Sequence, residues 1–220
     1  TSPVDRQAFV ATAPTDLARR VTILPNGVDL DYFCPPQPTT REPATLVVSG
    51  KMSYHANVTM VVHLVNEILP AVWAKRPDVK IWIVGKDPAP EICALAALPG
   101  VVVTGTVPDV RPYLQSATLA VAPVTYGAGI QNKVLEAMAC GTPVIATRAG
   151  GIPDAMDETV GVLCTMTFES YAAALARMIN EPTWYASLKN ATRAYAERQF
   201  SARNRSEERR VGKECRSRWS

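Results

Sequence analysis

From residue 44 onward, short apolar runs alternate with segments whose apolar positions recur every three or four residues. Thr45-Leu46-Val47-Val48-Ser49, residues 79–84 (VKIWIV), residues 101–104, residues 118–122 (TLAVA) and Val144-Ile145-Ala146 are nearly continuous in apolar character. The first four are stopped by Gly50, Gly85, Gly105 and Pro123. Such runs read as strands buried on both faces, and a sixth is expected at 160–164. Between the first two runs, Val58, Val61, Val62, Val65, Ile68, Leu69 and Val72 share one face of a helix beginning near Asn57, which Pro70 should kink or shorten. Shorter helices are expected over 91–98 and 109–116. A further helix over 132–140 has Gly141 as its C-terminal stop and Pro143 two residues on. Two more are expected over 168–180 and 183–199. Strands that alternate with helices predict an α/β fold, a parallel sheet covered by helices on both faces.

The first 43 residues follow another pattern. Residues 1–20 are polar, Ala-rich and weakly helical over 5–13 and 16–20. Val21-Thr22-Ile23-Leu24 is a short strand signal, and Pro25-Asn26-Gly27 a turn. Pro35, Pro36, Pro38 and Pro43 mark a connector into a new domain near Ala44. The chain opens Thr1-Ser2-Pro3 without an initiator methionine, as expected of part of a longer protein.

Hydrophobic residues make up 47% of the 220 positions and charged residues 20%, which fits a packed core and not disorder. No uninterrupted apolar run reaches the roughly 18 residues of a membrane span. The net charge of +3 resides in residues 205–220, with six Lys/Arg against three Asp/Glu; the remainder balances at 17 of each. Charge therefore gives no ground for a nucleic-acid partner outside that tail. The tail, RSEERRVGKECRSRWS, resembles the translation of a sequencing-adapter oligonucleotide and is set apart from the fold; the alternative is a genuine basic tail for anionic surfaces. Cysteines at 34, 93, 140, 164 and 215 form no CxxC pair and no metal-type cluster. Cys93, Cys140 and Cys164 lie among apolar residues and are expected to be small buried hydrophobes in a reducing, cytoplasmic compartment.

Ligands of open α/β sheets lie beyond the C-terminal strand ends. The loops there carry Gly50-Lys51, Gly85-Lys86-Asp87, Thr104-Gly105-Thr106-Val107 and residues 123–131, with Gly127 and Gly129 ahead of a helix. Small residues before a helix let a phosphate reach backbone N–H groups, so an anionic ligand is expected. A glycine pair alone is more commonly a tight turn than a phosphate site. A dinucleotide fingerprint would need a third glycine where Asn132 stands, and would follow the first strand. Glu136 sits among Val134, Leu135, Ala137 and Met138. It is either a solvent-facing residue favoured by the helix dipole or an acceptor for ligand hydroxyls, and the pattern does not choose. His63 reads as structural. His55, Lys86 and Asp87 are loop residues with a role only if a ligand reaches them.

Gly129-Ile130-Gln131-Asn132-Lys133-Val134-Leu135-Glu136, continuing to Ala146, resembles the signature of glycosyltransferase family 4. Pro25-Asn26-Gly27-Val28-Asp29 with Phe33 resembles that family's interdomain segment, Ser49-Gly50-Lys51 its phosphate-binding position, and residues 103–107 its base-side loop. The motifs come in family order across roughly 20–200. The glycine-loop variant and the Asn57-Val58 spacing most resemble a subgroup of sugar transferases linked to bacterial exopolysaccharide systems.

The resemblance implies a GT-B fold, two Rossmann-like domains facing across a cleft. Residues 1–20 would end the acceptor domain, 21–43 would be the linker, and 44–200 would be the nucleotide-sugar domain. It implies retaining transfer without a metal or other cofactor, the nucleoside-diphosphate sugar being the donor substrate. It also implies a glycan or lipid-linked acceptor held by the facing domain, and peripheral association of the full-length protein with the inner face of a membrane. Lys51 would neutralise the diphosphate, and Glu136 would accept the ribose hydroxyls. Gly127, Gly129, Ile130, Gln131 and Asn132 would meet phosphates or donor sugar, and Thr106 and Val107 would border the base. Two positions depart from the family: Ala128 replaces its first motif glutamate, and its second basic residue is lost near Ala56. Lys133 is the expected replacement for that charge, as a second catalytic cation beside Lys51; the alternative is a solvated lysine at the helix start. A nucleotide-sugar epimerase and a non-catalytic binding domain are the rivals.

Overall fold

In the computed structural model, which describes residues 3–21, 26–36, 41–126, 131–149, 152–156, 159–164 and 168–201, six strands form one parallel sheet. They are β1 (Thr45–Ser49), β2 (Lys80–Val84), β3 (Val101–Gly105), β4 (Leu119–Ala122), β5 (Val144–Thr147) and β6 (Gly161–Cys164), in the order β3-β2-β1-β4-β5-β6. This is the Rossmann order, winding outward in both directions from β1 and β4. Crossovers of one hand then put helices on opposite faces of the two halves. All residues of β1, β4 and β5 are buried, because these strands are covered on both sides. That is why their sequences show no alternation.

Two helices, α1 (Pro3–Thr12) and α2 (Thr15–Ala18), precede the sheet. Residues 22–25, part of the strand expected at 21–24, lie outside the described residues. After β1 the chain forms α3 (His55–His63), a wider π-helical turn at Leu64–Ile68, and α4 (Leu69–Trp73). Pro70 was expected to kink or shorten this helix. The helical path widens into a π turn directly before Pro70 and ends three residues after it, at Trp73. By length and composition His55–Trp73 is apolar enough to cross a membrane, with mean hydropathy 1.2 over an 18-residue window. Met60, Val61, Leu64, Val65, Ile68, Leu69 and Val72 are buried in the common core, so it is a core helix.

The remaining helices are α5 (Pro90–Ala94), extended by a tight turn at Leu95–Ala97, α6 (Arg111–Ser116), α7 (Asn132–Ala139), α8 (Ile152–Ala155), α9 (Phe168–Asn180) and α10 (Pro182–Phe200). The pattern did not predict α8, which spans only four residues. The helix α9 packs on α4, and α10 packs on α7. The end of α10 returns to the interdomain-type segment, where Val28 N donates to the Phe200 carbonyl at 2.7 Å.

Among the cysteines, Cys140 is buried, and burial pushes its thiol up to about 12. Cys93 was expected to be buried too; it is exposed, on the outer face of short helix α5. The side chain of Cys164, and the whole tail at 205–220, lie outside the described residues.

Candidate functional site

Strand order reverses between β1 and β4, and their outgoing loops diverge to opposite sides. That divergence opens a crevice at the C-terminal ends. A cleft of about 370 Å³ lies there, floored by Ser49, Gly50, Gly85 and Lys86 and walled by Thr106, Val107, Glu136, Tyr32 and Phe33. The turns after β1 and β2 are zipped together. Gly50 N donates to the Val84 carbonyl at 3.1 Å and Met52 N to the Lys86 carbonyl at 2.9 Å. A Cβ at Gly85 would lie 1.7 Å from the Gly50 carbonyl oxygen, so glycine is required where these backbones cross.

On the other side, α7 borders the site and contributes Glu136 to the cleft lining. Its first turn carries Lys133, and one turn on, Glu136. Both are half-buried. Burial lowers the Lys133 ammonium to about 8, against the opposing pull of the Glu136 carboxylate. Burial likewise raises Glu136, against Lys133. Each charge thus makes the other tolerable in a poorly solvated place. Lys133 Nζ donates to Asn57 Oδ1 at 2.5 Å, and Asn57 Nδ2 donates to the Lys51 carbonyl at 2.9 Å.

Of the residues singled out from sequence, Gly50, Thr106, Val107 and Glu136 line the cleft. Gln131 is the N-cap of α7, and Asn132 begins it, with Asn132 Oδ1 accepting from Asn26 Nδ2 at 2.8 Å. Lys51 is exposed on the turn beside Gly50. Gly127, Ala128, Gly129 and Ile130 lie outside the described residues. Lys86 joins the cleft floor. His55 Nδ1 meets the Tyr126 hydroxyl at 2.7 Å, with the rings stacked.

Sequence reasoning missed Tyr32, Asp109 and Arg111 as site residues; it met Asn57 only as a helix start and in a spacing resemblance, and Phe33 only as part of the interdomain-type segment. Asp109 and Arg111 form a close ion pair at 2.7 Å, and the Arg111 guanidinium lies over the Tyr32 ring at 3.8 Å. The signal for Asn57 was a polar residue on a mostly apolar helix face. No comparable signal marked Tyr32, whose place depends on the connector's path across the sheet.

A parallel sheet with a cleft at its switch point, floored by glycine turns and bordered by the Glu136 carboxylate of α7, defines an α/β domain of the Rossmann-like class. Residues 43–181 match the family described as Glycosyl transferases group 1, and the chain belongs to that family. It is 47% identical over 66 residues to D-inositol 3-phosphate glycosyltransferase of Saccharomonospora viridis, covering 29% of this chain and 15% of the relative. It is 27% identical over 187 residues to the putative teichuronic acid biosynthesis glycosyltransferase TuaC of Bacillus subtilis, covering 82% of this chain and 47% of the relative. The chain therefore spans less than half the length of these curated relatives. The fold is shared with the Anabaena HepE structure in complex with UDP-glucose, at a TM-score of 0.77 and 18% identity, over 98% of this chain and 62% of that one.

Proposed function

We propose that the chain is the donor-binding half of a retaining, metal-independent glycosyltransferase of family 4. It would move a sugar from a nucleoside-diphosphate sugar to a saccharide or lipid-linked acceptor, in exopolysaccharide or cell-envelope glycan synthesis. The observation that carries this reading is the half-buried Glu136 lining the switch-point cleft, with the Lys133 cation one turn before it. A carboxylate there accepts vicinal ribose hydroxyls. A cation beside the cleft, on the helix turn before Glu136, would meet the charge that gathers on the departing diphosphate as the glycosidic bond breaks, which is stabilisation delivered in the transition state. Lys51 adds a second cation from the β1 turn, and the N–H groups at the start of α7 favour phosphate by position and dipole. Thr106 and Val107 offer the base a shallow wall.

Two relatives support this reading: UDP-glucose in the HepE structure supports a sugar nucleotide as donor, and TuaC supports an envelope polymer as the product's destination. Residues 1–20 would close an acceptor-binding domain, 21–43 would link the halves, and 44–200 would hold the donor. The acceptor would bind the facing domain, so the 220-residue chain alone binds nucleotide without transferring sugar. The whole protein would work in the cytoplasm, peripherally at the inner membrane face.

Calorimetric titration of the chain with UDP, GDP and ADP, then with the sugar nucleotides of the base that binds, tests the reading. Binding of one diphosphate in the presence of EDTA is expected. Absence of binding by all three would overturn it.

A further inference from the structure

Asn57 stands at the third position of α3, and its residue is only 9% exposed. Its backbone N–H donates to the Tyr54 carbonyl at 2.8 Å, so the side chain projects from a fixed turn. Both ends of the carboxamide are used: Nδ2 on the Lys51 carbonyl at 2.9 Å, Oδ1 under the Lys133 ammonium at 2.5 Å. An ammonium has no acceptor, so the amide oxygen must be the end that faces it. Gly50 packs on the same amide; a Cβ there would lie 2.9 Å from Nδ2. One neutral side chain thereby ties the β1 turn to the first turn of α7, across the switch point. A carboxylate in this place would hold Lys133 more tightly but cancel its charge. The amide occupies one of the three ammonium donors and itself neutralises no charge and claims neither of the other two donors.

We infer that Asn57 is a positioning residue, which fixes Lys133 Nζ and the Lys51 turn as one unit while leaving the ammonium's charge available to a diphosphate. The inference rests on the reading of the cleft as a nucleoside-diphosphate-sugar site. It makes Asn57 act through Lys133, without contact with the ligand.

The test compares the 220-residue chain with its Asn57→Leu, Asn57→Asp and Lys133→Ala variants, each titrated with UDP, GDP and ADP and with the matching monophosphates. The parent should prefer the diphosphate. All three variants should lose about tenfold or more of diphosphate affinity, the scale of one charge-assisted contact, while monophosphate affinity stays within about twofold. The ζ-nitrogen NMR signal of the bonded Lys133 ammonium should vanish in Asn57→Leu while the amide signals of α7 persist, which a generally loosened fold would not produce. Should Asn57→Leu fail to fold, the near-isosteric Asn57→Asp decides alone. If Lys133→Ala loses the diphosphate preference and folded Asn57 variants keep it, the inference is wrong and the functional reading stands. If the parent binds no diphosphate, the functional reading falls and the inference with it.

Discussion

Arg41 Nη1 donates to the Thr142 hydroxyl at 2.7 Å, and that hydroxyl donates onward to the Leu114 carbonyl at 2.6 Å. The same guanidinium reaches the carbonyls of Gln115, Ala117, Cys140 and Gly141 at 2.8–3.2 Å. It therefore caps the C-terminal ends of α6 and α7 together, where free carbonyls and the helix dipole favour a cation. No carboxylate among the described residues takes part, and burial lowers the guanidinium from its ordinary value. Arg41→Met should cost about 2–4 kcal/mol, because several buried carbonyls lose a charged donor at once. Arg41→Lys should rescue little of this, since one ammonium cannot span both helix ends. Urea denaturation with an unchanged m value checks both.

Burial of Lys133 has a signed consequence. Its folded value, about 8, lies below the ordinary 10.5, so the unfolded chain holds this proton more tightly. Its burial cost is fully present below about 8 and is relieved as pH climbs toward 10.5, so this group's contribution to stability rises with pH across that window. Ligand binding has the opposite sense, because a diphosphate favours the charged ammonium. Binding should weaken as pH rises through about 8, with uptake of up to one proton per ligand above it and almost none at pH ~6.5. Calorimetry in two buffers of different ionisation enthalpy measures that uptake. Lys133→Ala should abolish it.

Glu136 is predicted to recognise ribose. Glu136→Ala should lower affinity for the preferred nucleoside diphosphate by about ten- to a hundredfold, the range of one or two hydrogen bonds to a charged acceptor. The informative comparison uses the 2′,3′-dideoxy nucleotide. The parent should discriminate against it, and the variant should bind both forms about equally. Discrimination that survives in Glu136→Ala would place the hydroxyls elsewhere.

Gly85→Ala tests how the floor of the cleft is made. The residue has φ +155°, and its added Cβ would lie 1.7 Å from the Gly50 oxygen and 2.8 Å from the Gly50 carbonyl carbon. Both obstacles are backbone, so no rotamer change relieves them. A loss of at least about 2–3 kcal/mol in thermal or urea unfolding is expected. Gly105→Ala is the control: its Cβ would meet nothing within 4 Å, and its cost should come from φ +66° alone, about 1 kcal/mol.

Most of the strand ladder was legible because buried parallel strands announce themselves as unbroken apolar runs, and glycine or proline ends them. The extra turn α8 was not, since four residues carry no period. Glu136 was visible as a carboxylate in an apolar helix, but its choice between solvent and cleft depended on where α7 lands. Asn57 shows the limit most clearly. Its partner Lys133 is 76 positions away, and only the crossover that brings β4 beside β1 makes the two neighbours. Tyr32 was hidden in the same way, and Phe33 was visible only as part of an interdomain-type segment: local sequence holds no trace of the path that lays the connector along the cleft wall.

That path is held by Arg193. From the middle of α10 its Nη1 donates to the Phe33 carbonyl at 2.7 Å and the Ala139 carbonyl at 2.6 Å, and Nη2 to the Leu30 carbonyl at 3.2 Å. One guanidinium thus joins the cleft wall at 30–33 to the C-terminal end of the helix that carries Glu136. Its pair with Glu197, at 2.6 Å, sits one turn on and is half open to solvent on the carboxylate side. The two interactions should separate by mutation. Glu197→Gln should change stability by only about 0.3–0.5 kcal/mol, as exposed i,i+4 pairs do. Arg193→Leu keeps much of the apolar stem but strands three carbonyls, and should cost about 2–3 kcal/mol. It should also free the Tyr32–Phe33 segment, so amide exchange at residues 30–33 should quicken more than exchange in the strands. Exchange confined to α10 would mean that the connector is held by its own packing, and that Arg193 only pins the helix.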